Sequence, residues 1–160
     1  MMKLQVLAVG GTIDKVYFDA LSEYHIGAPA ASEILQRVKA NFDYEITQII
    51  SKDSLDMTDE DRCEILSAVQ AHPGQHVIIT HGTDTMVDTG RVLKAATGKT
   101  IVIMGAMAPA IMKLTDADFN LGVAVAAVQA LPQGVYLCMN GRIYNVDRVV
   151  KNRAQGQFQD

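Results

Sequence analysis

The chain has 160 residues, 49% of them apolar and 20% charged, with a formal net charge of −4. That balance excludes disorder, collagen-like repeats and coiled coil as descriptions of the whole chain, and the acidic excess argues against a nucleic-acid groove or an anionic membrane surface. Two cysteines, Cys63 and Cys138, have no metal-ligand spacing, which argues against a disulfide framework and a zinc finger and fits a reducing compartment.

No segment reaches the ~18 apolar residues of a membrane span. The stretch from Met1 to Val9 runs into Gly10-Gly11 with no small-residue cleavage site, so the expected location is cytoplasmic. The length predicts one domain over residues 1–160.

The elements alternate. Leu4–Val9 reads as a strand closed by Gly10-Gly11. From Pro29 the period turns helical, with Ile34, Leu35, Val38 and Phe42 on one face. Tyr44–Ile50 is a second strand. Thr58 followed by Asp59-Glu60-Asp61 reads as a capped helix start, because acids suit the positive end of the helix dipole. That helix carries Ile65, Leu66 and Val69 and stops at His72-Pro73-Gly74. Val77–Thr80 is continuously apolar, as in a strand covered on both faces. A helix through Val87, Arg91 and Leu93 is predicted to be capped by Gly98.

Lys99–Met104 is the next strand, and Phe119–Leu131 an Ala/Val-rich helix. Val135–Met139, Asn140-Gly141 and Arg142–Tyr144 read as a hairpin with a type I′ turn, since Asn-Gly accepts positive φ at both central positions. The tail from Arg153 to Asp160 is polar and without periodicity. The expected fold is therefore α/β, a mostly parallel sheet flanked by helices on both faces, with a C-terminal β-hairpin.

In such folds the site lies off the carboxyl ends of the strands. The residues there are Gly10-Gly11-Thr12, Lys52-Asp53-Ser54, His81-Gly82-Thr83-Asp84, Gly105-Ala106-Met107 and the stretch leading to Lys151. Gly10-Gly11-Thr12 is either a glycine turn with a satisfied threonine or a ligand crest with a nucleophilic hydroxyl. A dinucleotide fingerprint would need G-x-G-x-x-G running straight into a helix, whereas a loop through Tyr17, Tyr24 and Gly27 intervenes. At His81–Thr85 a helix N-terminus offers free N–H groups to a carboxylate or oxyanion. Thr83 or Asp84 also suits a plain N-cap. A metal set of His81, Asp84 and Asp88 lacks a second histidine at ligand spacing, and His25, His72 and His76 read as loop or surface residues. Lys151 is either a solvated tail lysine or, if desolvated against a threonine, a base.

These pieces together resemble the bacterial-type L-asparaginases, the threonine amidohydrolases. Gly10-Gly11-Thr12-Ile13 is similar to the family's first threonine signature, and Thr80-His81-Gly82-Thr83-Asp84-Thr85 to its second. Tyr24-His25-Ile26-Gly27 resembles the lid segment, and Asp53-Ser54-Leu55-Asp56-Met57 the substrate-carboxylate loop. Gly105-Ala106-Met107 and Phe119-Asn120-Leu121 match a later strand and helix start, and Asn145–Lys151 resembles the segment that supplies the family lysine. The likeness spans about residues 4–158.

The resemblance implies hydrolysis of L-asparagine to L-aspartate and ammonia, with no metal or organic cofactor. It implies Thr12 as nucleophile, Tyr24 as its hydrogen-bonded activator, and Thr83, Asp84 and Lys151 as a second hydroxyl–acid–base group. Ser54 and nearby backbone would hold the α-carboxylate and Asp84 the α-ammonium, with Gly11, Asp53, Gly82 and Thr83 completing the substrate site. A neutral hydroxyl needs such a neighbouring base to attack, and each preorganised oxyanion donor is worth roughly 3–4 kcal/mol.

The sequence departs from the family pattern in two ways. It resembles the N-terminal domain alone, as in short single-domain members, and Leu55 stands where a polar substrate contact is usual. Weaker head-group binding and a homo-oligomer that covers apolar surface are therefore expected. The alternatives are a non-catalytic amide-binding module and a glutaminase-like amidase.

Overall fold

The computed structural model describes residues 2–160. β1 (Lys3–Gly10) is buried from Leu4 onward. β2 (Lys15–Phe18) and β3 (Glu23–Ile26) pair with each other alone, as an antiparallel hairpin. α1 (Ala30–Arg37) leads to β4 (Asp43–Lys52), α2 (Asp59–Ala71) to β5 (His76–Thr80), and α3 (Met86–Leu93) to β6 (Thr100–Met104). α4 (Ala117–Ala130) precedes β7 (Gly134–Met139), which turns into β8 (Arg142–Asn145). β9 (Val150–Asn152) and β10 (Gln157–Gln159) form a last hairpin.

The main sheet runs β4-β1-β5-β6-β7-β8. Its pairs are parallel except the last, β7 with β8. Side chains alternate across it, so each strand feeds two cores. Leu7, Val77, Ile79, Ile101, Ile103 and Leu137 face α2 and α3 through Ile65, Val69, Met86 and Leu93. Leu4, Val6, Ile78, Val102, Met104 and Cys138 face α1 and α4 through Ala31, Ile34, Leu35, Leu121, Ala124 and Val128. Both faces are covered, as the apolar strands require.

The local signals act as expected in two places. Thr58 Oγ1 accepts from the Asp61 N–H at 3.2 Å while Asp61 Oδ2 accepts from the Thr58 N–H at 2.8 Å, a reciprocal capping box at the start of α2. In the β7–β8 turn Asn140 and Gly141 have φ of 55° and 74°, the two left-handed residues of a type I′ turn.

Three expectations need correction. The segment Lys15–Ile26 is a hairpin and not an open loop. Val16, Tyr17, Phe18 and Tyr24 are all exposed, so no apolar/polar alternation marked the strands. The tail is likewise a hairpin, held by Phe158, which is buried, and by the Tyr144 hydroxyl donating to the Phe158 carbonyl at 2.6 Å. Finally, Gly98 does not cap α3: the helix ends at Leu93 with Lys94 as its cap, and Gly98, at φ 76°, turns the chain toward β6.

Candidate active site

The carboxyl ends of β1, β4 and β5 converge because glycines let the backbones touch. Gly11 has φ 85°, and its N–H donates to the Lys52 carbonyl at 3.0 Å. A Cβ on Gly11 would lie 2.4 Å from the Gly82 backbone, and one on Gly82 would lie 2.8 Å from Ser54. Thr12, Ser54 and Thr83 are thereby brought to one place by residues that have no side chain.

The loop after β5 is organised by Ser54. Its Oγ accepts from the backbone N–H groups of Asp84 and Thr85 at 3.1 and 3.2 Å, and the Thr85 hydroxyl donates to the Ser54 carbonyl at 2.7 Å. Both hydroxyl lone pairs are used, which leaves the Ser54 proton to donate to an incoming carboxylate. The expectation that Thr83 or Asp84 caps the following helix is overturned. Thr85 is the N-cap of α3 and makes no side-chain cap bond, its hydroxyl being turned to the Ser54 carbonyl.

The partner of Thr83 and Asp84 is Lys151, on β9. Its Nζ donates to Thr83 Oγ1 at 2.7 Å and to Asp84 Oδ1 at 2.8 Å. The Lys151 side chain is 14% exposed, which rules out the solvated-tail alternative. Arg153, two residues on, brings its Nε to 3.3 Å from the same Asp84 oxygen. Thr83 Oγ1 in turn donates to Met107 Sδ at 3.8 Å.

A cavity of about 310 Å³ adjoins this cluster, lined by Thr12, Lys15, Asp53, Ser54, Leu55, Asp56, Gly82, Thr83 and Asp84. Within it the Lys15 ammonium pairs with Asp53 Oδ1 at 2.9 Å. Tyr24 is not among the lining residues. It is half-exposed on β3, its ring 5.4 Å from that of Tyr17, and it borders a neighbouring cavity with Lys15, Asp53 and Asp56. Tyr17 and Tyr24 are register partners in the β2–β3 hairpin, which holds both rings on one face of that ribbon.

His81 lies wholly inside the protein. Nδ1 is 2.7 Å from the Gly82 carbonyl and Nε2 2.7 Å from the Thr89 hydroxyl. A carbonyl only accepts, so Nδ1 carries the proton and Nε2 accepts from Thr89. Burial pushes the imidazole down to about 4. It is a neutral brace between β5 and α3, and both nitrogens are turned away from metal binding. Asp14 is buried next to the Thr12 loop, accepts from the Ala30 N–H at 2.8 Å through Oδ1, and leaves Oδ2 unpartnered. Burial lifts its carboxyl to about 6, against the pull of that N–H. Burial likewise pushes the Cys138 thiol up to about 12, which removes it as a nucleophile.

The structure thus joins Thr12, Gly11, Asp53, Ser54, Gly82, Thr83, Asp84 and Lys151, and leaves Tyr24 apart. Sequence reasoning missed Lys15 and Arg153. Arg153 lies in the turn just after β9, so strand alternation gave no signal for it.

Comparison with known proteins gives one consistent result. The family described as "Asparaginase, N-terminal" matches residues 3–158. The "Probable L-asparaginase periplasmic" of Haemophilus influenzae is 33% identical, over 92% of this chain and 46% of that protein. "L-asparaginase 2" of Escherichia coli is 30% identical over the same shares of 92% and 46%. The solved structure of "the thermostable L-asparaginase from Thermococcus kodakarensis" superposes with a TM-score of 0.84 at 28% identity, covering 99% of this chain and 51% of the other. The chain spans about half the length of the curated relatives it matches.

Proposed function

This chain belongs to the asparaginase family through that family's N-terminal domain, and from this premise we propose that it hydrolyses L-asparagine to L-aspartate and ammonia with Thr12 as nucleophile. The observation that carries the proposal is the Thr83–Asp84–Lys151 cluster on the wall of the cavity that Thr12 lines. An unactivated hydroxyl is a poor nucleophile, and a hydroxyl–acid–amine group beside it supplies the proton path.

In this scheme Thr12 Oγ attacks the side-chain carbonyl carbon. Its proton passes toward the Lys151–Thr83 pair and on to the leaving nitrogen, which departs as ammonia. Water then attacks the acyl carbon and restores the Thr12 hydroxyl. Ser54 donates its free proton to the α-carboxylate, and Gly11 and Gly82 let the strand ends pack closely enough to bring Thr12, Ser54 and Thr83 to the substrate. Asp84 faces the α-ammonium. Asp53 stays paired with Lys15 at the cavity wall.

The test is ammonia release from L-asparagine and L-glutamine by the purified chain, with Thr12→Ala alongside. Turnover that the variant abolishes supports the proposal, and the glutamine trace decides between asparaginase and glutaminase. One observation favours a second reading, a non-catalytic amide-binding module: Tyr24 lies outside the Thr12 cavity. Tight asparagine binding with no ammonia would establish it.

We also propose that the chain is one domain that self-associates in the cytoplasm. Exposed Ile111, Leu114 and Phe119 support self-association, and the unpaired Cys63 and Cys138 support a reducing compartment. No helix among the described residues is long and apolar enough to cross a membrane. A monodisperse monomer in light scattering would overturn the self-association.

A further inference from the structure

We infer that Lys15 is a substrate-binding residue, whose ammonium takes the α-carboxylate of the amino acid together with the Ser54 hydroxyl and makes the site selective for amides that carry that carboxylate. The inference deepens the hydrolytic reading above and rests on it for the identity of the ligand.

Thr12–Asp14 form a short 3₁₀ turn, and the Lys15 N–H closes it by donating to the Thr12 carbonyl. Residues three apart in such a turn lie one above the other. Lys15 therefore projects on the same side as Thr12, and both line one cavity. The turn is pinned by Asp14, which is buried and accepts from the Ala30 N–H at 2.8 Å. The Lys15 side chain is 27% exposed, and its ammonium is 2.9 Å from Asp53 Oδ1. Asp53 immediately precedes Ser54. The ammonium is thus held beside the hydroxyl whose proton is free.

The charge on the cavity wall makes a cation necessary there. Three acids line the cavity, Asp53, Asp56 and Asp84, and Lys15 is the one cation among its lining residues. Asp84 is paired with Lys151, and Asp56 is exposed at the rim. Asp53 stands next to Ser54 and, without Lys15, would repel an arriving carboxylate. Leu55, on the same wall, has only carbon to offer. An ammonium has three donors and no acceptor. Asp53 is the one ion-pair partner of Lys15 among the described residues. Lys15 can keep that pair and still donate to a second carboxylate, while Asp84 faces the α-ammonium.

The experiment uses L-asparagine and β-alaninamide, which is the same amide without the α-carboxylate. Ammonia release gives kcat and KM for the unaltered chain, Lys15→Met, Lys15→Arg and the double variant Lys15→Met with Asp53→Asn. Titration calorimetry of the same set in a Thr12→Ala background gives binding without turnover. The unaltered chain should favour L-asparagine over β-alaninamide by at least about ten-fold. Lys15→Met should raise KM and Kd for L-asparagine by about ten-fold or more, the worth of a hydrogen bond between charged groups. Its kcat should stay within about three-fold, and Lys15→Arg, which keeps the charge, should hold KM near the parent value. The double variant should stay as weak as Lys15→Met, because the donor is still missing. Equal preference for the two amides, or an unmoved KM and Kd in Lys15→Met, overturns the inference while the hydrolytic function stands. So does a double variant that returns to the parent KM, since Lys15 would then only neutralise Asp53. Absence of ammonia release with the expected pattern of Kd overturns the hydrolytic reading and leaves Lys15 as the carboxylate ligand. Neither turnover nor binding in any of the proteins overturns both.

Discussion

Lys151 Nζ lies 2.7 Å from the Thr83 hydroxyl although 68 residues separate them in the chain. The contact exists because the β9–β10 hairpin folds back over the N-terminal end of α3, and Asp84 fixes the ammonium on its other side at 2.8 Å. A lysine so held can accept the Thr83 proton only if it first releases one of its own. Lys151→Ala should therefore lower kcat for ammonia release by about a hundred-fold or more. Lys151→Arg should not restore it, since a guanidinium does not deprotonate. Steady-state ammonia assays with circular dichroism as a folding control check this, and near-normal kcat in Lys151→Arg would remove Lys151 from proton transfer.

Burial of Asp14, with its carboxyl lifted from 3.8 to about 6, gives the fold a defined pH slope. Between those values the folded chain keeps a proton that the unfolded chain has lost. The contribution to stability is full below about 4 and is lost as pH rises through about 6, on the order of 3 kcal/mol in all. Asp14→Asn keeps an oxygen for the Ala30 N–H and cannot ionise. Urea unfolding should show the variant more stable than the parent at pH 8 and equal to it at pH 4. A pH-independent difference would refute the assignment.

His81 slopes the other way. Its pKa falls from 6.5 to about 4 on folding, so the unfolded state binds the extra proton. Stability from this group is full above about 6.5 and is lost as pH falls toward 4, again on the order of 3 kcal/mol. The imidazole should stay neutral at pH 5.5, with its proton on Nδ1. Nitrogen chemical shifts of the ring report both, and a doubly protonated ring at that pH would contradict the buried geometry.

Gly11 and Gly98 share a left-handed backbone but differ in surroundings. A Cβ on Gly98 meets nothing within 4 Å, whereas one on Gly11 lies 2.4 Å from the Gly82 backbone. Gly98→Ala should cost about 1–2 kcal/mol, the left-handed penalty alone. Gly11→Ala should cost well over about 3 kcal/mol or fail to fold, because the backbones at the ends of β1 and β5 must separate. Thermal denaturation of the pair distinguishes strain from clash.

Ser54→Ala tests whether the hydroxyl holds the loop as well as a ligand. It removes the acceptor for the Asp84 and Thr85 N–H groups. A loss of about 1–3 kcal/mol in stability is expected, together with a raised KM for any substrate carrying a carboxylate. A raised KM at unchanged stability would assign Ser54 to the ligand alone.

Residues whose neighbours lie close in sequence were legible without the fold. The capping box of Thr58 and Asp61 and the Asn140-Gly141 turn are set by backbone groups within three residues. The apolar runs of β1, β5 and β6 also announced themselves, since a strand covered on both faces has no polar side to show. Thr12, Thr83, Asp84 and Lys151 could be named from their motifs as candidates. Tertiary structure alone decided what each one faces. The β2–β3 hairpin is an exposed ribbon without alternation, and the β9–β10 strands are only three residues each, too short for periodicity to reveal. Those same hairpins carry Tyr24 away from the Thr12 cavity and bring Arg153 onto Asp84. An ion pair or a shared cavity depends on where separate segments cross, and the covalent order of a chain encodes that only through the whole fold.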